Sequence, residues 1–137
     1  MSENNQIRRG RHCTFNMHVH LVFVTKYRKK VFDAEAIALL RTIFTEVCHD
    51  LEAELIEMDG EHDHVHLLVV YPPKLAVSKL VNCLKGVSSH LLRKKRADIQ
   101  KLYWNGVLWS PSYFAASCGG APIAIVRQYI RQQQTPN

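Results

Sequence analysis

Asp63-His64-Val65-His66-Leu67-Leu68-Val69-Val70-Tyr71-Pro72-Pro73 is the stretch from which the rest of the chain can be read. Its β-branched and aromatic content predicts a strand over 64–71, and the two prolines close it because neither can donate to a ladder. Side chains at i and i+2 leave a strand on the same face. One face therefore carries His64 and His66 and continues into Leu68 and Val70. The other carries Val65, Leu67 and Val69.

Upstream of this strand, Leu55–Met58 alternates and predicts another, with Gly60 marking a turn. Further back, Asp33 is placed to cap a helix whose apolar residues fall at Ile37, Leu40, Phe44, Val47 and Leu51, a helical stripe. The acids of this segment fall largely off the stripe. Met17–Thr25 is a β-branched run that predicts the first strand, followed by the basic loop Lys26-Tyr27-Arg28-Lys29-Lys30. Downstream, Val77, Leu80, Leu84, Val87 and Leu91 predict a second helix, ending in Arg93, Lys94, Lys95 and Arg96. Val107–Trp109 and Tyr113–Ala116 are short strand candidates interrupted by Pro111. Gly119-Gly120 is a candidate hinge, and Pro122 opens a final helix running to about Gln133. The order β-α-β-β-α-β plus a helix is that of an α+β, ferredoxin-like fold with two helices on one face of an antiparallel sheet.

Composition bounds the class. The 137 residues, 47% hydrophobic and 22% charged, suit one soluble domain spanning 1–137. No apolar run approaches the ~20 residues of a membrane span, so no membrane partner is expected. Residues 1–12 read as a flexible basic arm without the apolar region of a secretory signal. Cys13, Cys48, Cys83 and Cys118 are scattered with no C-x-x-C pair, which indicates neither a zinc knuckle nor a disulfide framework and points to a reducing cytoplasm.

Charge is segregated along the chain. Residues 1–30 carry seven Lys/Arg and one acid, 31–63 one Arg and ten acids, and 64–137 ten Lys/Arg and one acid. Basic ends around an acidic middle suggest one surface for a polyanion and another turned away from it. Candidate phosphate contacts are Arg8, Arg9, Arg11, Lys26, Arg28, Lys29, Lys30, Lys85, Arg93 and Lys94, with Tyr27, Trp104, Trp109 and Tyr113 available for base stacking. Trp109, flanked by apolar residues, also suits a core.

Two constellations carry chemistry. His64 and His66 project side by side and are spaced to share one metal ion. His18-Val19-His20 has the same spacing on the first strand, and spacing alone does not choose between the pairs. Tyr129 and Gln133 are i and i+4 on the last helix and share a face, while Ile123, Val126 and Ile130 form a separate apolar stripe.

Five ordered segments carry a family resemblance: H-L-V-F-V-T-K-Y-R at 20–28, D-H-V-H-L-L at 63–68, L-K-G-V-S-S at 84–89, W-S-P-S-Y-F at 109–114 and Q-Y-I-R-Q-Q at 128–133. Together they resemble the single-tyrosine HUH transposases of the insertion-sequence 200/605 type, over about residues 12–135. The resemblance implies a homodimer that cleaves and rejoins single-stranded DNA at hairpin-marked element ends, without a nucleotide cofactor. It implies Tyr129 as nucleophile through a 5′-phosphotyrosine intermediate, on the helix of residues 121–134. His64, His66 and Gln133 would be the ligands of Mg²⁺ or Mn²⁺. A domesticated relative that processes repeated extragenic hairpins would share this chemistry. A non-catalytic single-strand-binding module is the alternative outside the enzymes.

Overall fold

The computed structural model describes residues 8–9, 14–15, 17–117 and 123–132. Arg11, Gly119, Gly120, Pro122 and Gln133 lie outside the described residues. A short ladder pairs β1 (Arg8–Arg9) with β2 (Thr14–Phe15). The main sheet contains β3 (Met17–Val24), β4 (Glu54–Gly60), β5 (His64–Tyr71) and β6 (Phe114–Ser117). All its neighbours are antiparallel, in the order β4-β5-β3-β6. The helices are α1 (Ala34–Asp50), α2 (Val77–Lys95), α3 (Ala97–Leu102) and α4 (Ile123–Gln132). With α1 between β3 and β4 and α2 between β5 and β6, this is the expected βαββαβ arrangement.

The sheet has two unlike faces. On one, Val19, Leu21 and Phe23 of β3 and Val65, Leu67 and Val69 of β5 form a core with Leu40 and Phe44 of α1 and Leu80, Leu84 and Leu92 of α2. Each such fully buried Leu or Phe stabilises the fold by roughly 1.5–3 kcal/mol. Trp109 belongs here, 3% exposed and edge-on to Phe23. Its indole N–H donates to Ser88 Oγ at 2.9 Å. The opposite face carries His18, His20, Val22 and Val24 of β3 opposite Val70, Leu68, His66 and His64 of β5.

Several boundaries differ from the sequence reading. The α2 stripe is rotated: Ser88 and Leu92 are buried, while Val87 is 38% exposed. Ser88 lies inward because it serves the Trp109 indole. Gly60 is not a turn but the end of β4, paired with Val65; a Cβ there would meet Ile37 Cδ1 at 2.5 Å. The reversal comes after it, where the Glu61 N–H donates to the His64 carbonyl. Val107–Trp109 makes no strand beyond the single bridge between Thr25 and Trp109, since Pro111 prevents a ladder from continuing. The short α3 was not foreseen.

Two contacts tie the elements together away from the sheet. Asp33 caps α1 by accepting from the Ala36 N–H at 2.9 Å. Its two oxygens also accept from Arg96, at the end of α2, at 2.8 and 2.9 Å. The loop after β3 is less relaxed. Tyr27 (φ 62°) and Arg28 (φ 55°) are consecutive left-handed residues with side chains, a cost of roughly 1–2 kcal/mol each.

Candidate active site

Because β5 buries its odd-numbered residues, His64 and His66 leave on the other face. Their ring centroids are 5.7 Å apart and the planes are inclined by 55°. They line a cavity of about 360 Å³ with Asp59, Gly60 and Glu61. Asp59 lies directly opposite His66 across the β4–β5 ladder. Burial, then the neighbouring His64, push the His66 pKa below its ordinary value, against the opposing pull of Asp59. A neutral imidazole is the form that ligates a metal.

Asp63 stands immediately before the pair and is 4% exposed. His64 Nδ1–H donates to its Oδ1 at 2.8 Å, and Arg28 Nε–H donates to its Oδ2 at 2.6 Å. Burial raises the Asp63 pKa, but the hydrogen bonds and charges of His64 and Arg28 outweigh it, so the net shift is downward and the group is a carboxylate. With Nδ1 committed as a donor, His64 keeps Nε2 as the nitrogen with a lone pair. Two imidazoles beside an oxygen-lined cavity fit a divalent cation. Among the described residues, no group of three His, Cys, Asp or Glu gathers to hold one. Gln133, expected as a ligand, lies outside the described residues.

Helix α4 rests on the histidine face. Ile130, 7% exposed, packs with Val22 and Val24, and these are the cross-strand partners of His66 and His64. Tyr129 packs beside them with its ring centroid 5.9 Å from that of Phe114. Its hydroxyl is 3.0 Å from Ser112 Oγ. Burial raises the Tyr129 pKa, with the Ser112 hydrogen bond opposing, so the phenol is protonated at neutral pH.

The basic residues divide into groups. Lys26–Lys30 follow β3 at the sheet end that carries His64, and the Thr25 N–H donates to the Asp63 carbonyl there. Tyr27 is 44% exposed with Lys26 Nζ 5.4 Å from its ring centroid. Lys29 Nζ is 5.3 Å from the Tyr103 ring centroid. Arg93 and Lys94 stand at the end of α2, where Arg93 Nε–H donates to Ser89 Oγ at 3.3 Å and Lys94 is exposed. Trp104 is 82% exposed. Lys85 differs from all of these. Its ammonium donates to the carbonyls of Ser110 at 2.6 Å, Ser112 at 3.2 Å and Pro111 at 3.4 Å. Burial lowers its pKa to about 8. Lys85 thus clamps the loop that presents Ser112 to Tyr129. Arg8 and Arg9 lie in β1, and Arg11 is outside the described residues.

Sequence reasoning named Asp63 within the histidine motif without giving it a role, and it missed Ser112 and the acids Asp59 and Glu61. Only Asp63 left a signal, a carboxylate directly before the histidine pair.

The family described as "Transposase IS200 like" matches residues 13–133. The transposase for insertion sequence element IS200 from Salmonella typhimurium is 31% identical over 122 residues, covering 89% of this chain and 80% of that protein. The ISDra2 transposase TnpA of Deinococcus radiodurans is 30% identical over 128 residues, covering 93% and 91%. A transposase crystal structure from Deinococcus radiodurans superposes with a TM-score of 0.84 at 28% identity, covering 95% of this chain and 99% of that one. A REP-associated tyrosine transposase bound to a REP hairpin shares the fold, with a TM-score of 0.57 at 13% identity over 90% of this chain and 67% of that one. A match across nearly the whole chain, on a sheet with the expected strand order, places this protein in the IS200-like transposase family.

Proposed function

We propose that this transposase cleaves and rejoins single-stranded DNA at hairpin-marked element ends through a covalent link to Tyr129. The observation that carries the reading is the seat of α4: Ile130 packs on Val22 and Val24, which brings the tyrosine helix to the face of the sheet that bears His64 and His66.

The chemistry follows from the residues. A phosphodiester resists attack because its own charge repels nucleophiles. His64 and His66, completed by Gln133, would hold Mg²⁺ or Mn²⁺, which supplies Lewis-acid withdrawal of charge from a non-bridging oxygen. Tyr129 Oη attacks the phosphorus and gives up its proton. The bond to the 3′ oxygen breaks, and that oxygen takes up a proton to leave as a 3′-OH. The 5′-phosphotyrosine retains the bond energy, so a 3′-OH from another end can attack it and release Tyr129 without ATP. One nucleophilic tyrosine per chain means that two cleavages require two subunits, which is the basis for a homodimer.

Substrate choice has a physical basis as well. The phosphate must pass between the sheet and α4, which a flexible single strand can do and a stacked duplex cannot. Lys26, Lys29, Lys30, Arg93 and Lys94 supply the positive surface for a hairpin stem, whereas Arg28 is turned to Asp63.

Incubation of the protein with a labelled hairpin-flanked oligonucleotide and Mg²⁺, followed by a denaturing gel, tests the reading. A covalent band is expected, mapped by mass spectrometry to Tyr129. Tyr129→Phe should abolish the band and leave hairpin binding intact. An adduct that survives in this variant refutes the assignment.

A further inference from the structure

We infer that Arg28 and Asp63 are positioning residues that fix the ring and tautomer of His64 so that Nε2, not Nδ1, is the ligating nitrogen. The inference rests on reading His64 and His66 as metal ligands, and it adds residues that the reading does not require.

Three observations converge. Asp63 is buried and both its oxygens are engaged, one by His64 Nδ1–H at 2.8 Å and the other by Arg28 Nε–H at 2.6 Å. A carboxylate between two donors can only accept, so the proton of His64 is set on Nδ1. Its backbone is tied as well, since the Asp63 carbonyl accepts from the Thr25 N–H at 2.9 Å. Finally, Arg28 reaches this carboxylate from a turn in which it and Tyr27 both adopt the left-handed conformation. That turn is pinned from several sides. Thr25 Oγ1–H donates to the Lys29 carbonyl at 2.8 Å, the Arg28 N–H to the Thr25 carbonyl at 2.8 Å, and Tyr103 O–H to the Lys26 carbonyl at 2.9 Å. A backbone held in a sparsely populated conformation needs such ties, and such strain collects where a side chain must be aimed. Arg28 is aimed at Asp63, and Asp63 at His64. Carboxylate partners of this kind orient ligating histidines and raise their basicity.

The arrangement makes a sharp prediction for Asp63→Asn. Arg28 Nε–H still demands an acceptor, so the amide oxygen turns to Arg28 and the NH₂ turns to His64. His64 Nδ1 must then accept, and its proton moves to Nε2, where it blocks the ligating lone pair. Long-range ¹H–¹⁵N spectra of the histidine-labelled full chain without metal should show this inversion at His64. Mn²⁺ binding, read as loss of the free-ion EPR signal, should weaken by about 10–100-fold. Arg28→Lys keeps the charge but loses the guanidinium Nε, and is expected to weaken Mn²⁺ several-fold without inverting the tautomer. It also tests the chain if Asp63→Asn does not fold. Unchanged Mn²⁺ affinity in a folded variant, or a His64 already protonated on Nε2 in the parent chain, overturns the inference. His64→Ala and His66→Ala separate the two readings. If neither weakens Mn²⁺, the metal reading fails, whereas a metal effect of His64→Ala with none from Asp63→Asn or Arg28→Lys sinks the positioning role alone.

Discussion

His18-Val19-His20 on β3 and His64-Val65-His66 on β5 have the same spacing, lie on adjacent strands and face the same side of the sheet. His20 is opposite Leu68, two residues along β3 from Val22, the partner of His66. Their surroundings differ. His64 is gripped by a buried carboxylate and, with His66, lines an open cavity beside Asp59 and Glu61. His18 Nδ1 is buried and has no hydrogen-bond partner among the described residues. Spacing therefore decides only where an imidazole points. A flanking carboxylate and open volume decide whether it is prepared to bind anything.

The strongest way to break this comparison is to exchange the fates of the pairs. His64→Ala or His66→Ala should reduce metal-dependent cleavage by more than about 100-fold, beyond the range typical of outer-sphere partners. His18→Ala and His20→Ala should leave cleavage within a few-fold of the parent chain. Single-turnover cleavage of a labelled oligonucleotide measures both. The reverse order would mean that the surroundings have been misread and that β3 carries the site.

The same contrast explains what was legible in the sequence. The alternation of β5 and the 3-4 spacing of α1 are local properties, and they gave the strand, the helix and the face of each histidine. The five ordered motifs gave the family and singled out Tyr129. The approach of Arg28 to Asp63 was not legible, because Arg28 lies 35 residues away and nothing in a local pattern encodes that approach. The α2 stripe was off by one position because a serine pointed inward for the Trp109 indole does not register as apolar. The six residues of α3 are too few to show a period. Lys85 read as one more cation, although burial and three carbonyls give it a different task.

That task sharpens the comparison at a second residue type. Arg93→Ala and Lys94→Ala should weaken hairpin binding and flatten its salt dependence, as loss of phosphate contacts does. Lys85→Met should leave hairpin affinity nearly unchanged. It should still lower the rate of adduct formation by about 10–100-fold, because displacing the Ser110–Ser112 loop moves the support of Tyr129, and a shift of about 1 Å near a reacting group can have that effect. A pH series adds an independent check. The Lys85 pKa falls from 10.5 to about 8 on folding. Between these values the unfolded chain binds more protons than the folded one, so this residue's contribution to stability rises with pH and is lost as pH falls through about 8. The melting temperature of the parent chain, minus that of Lys85→Met, should climb across this window. A flat difference would show that the ammonium is not buried as described.

The smallest expected effect belongs to Trp104, whose contrast with Trp109 repeats the lesson of the histidine pairs. Trp109 is core, 3% exposed, and its indole is hydrogen-bonded, so Trp109→Ala should cost roughly 3–5 kcal/mol of stability. Trp104 is 82% exposed, in the segment between α3 and Gly106, and Gly106 adjoins Arg93: a Cβ added there would lie 4.0 Å from Arg93 Nη2. An open indole suits stacking of an unpaired base, worth about 1 kcal/mol at the low end of such contacts, or about fivefold in affinity. Trp104→Ala should therefore keep the melting temperature and lose about that factor in single-strand binding. Because Trp109 is shielded, fluorescence quenching by a short oligonucleotide reports on Trp104 alone and should vanish in Trp104→Ala. Quenching that persists in this variant would place the bound strand elsewhere and leave the exposed indole without a role in DNA binding.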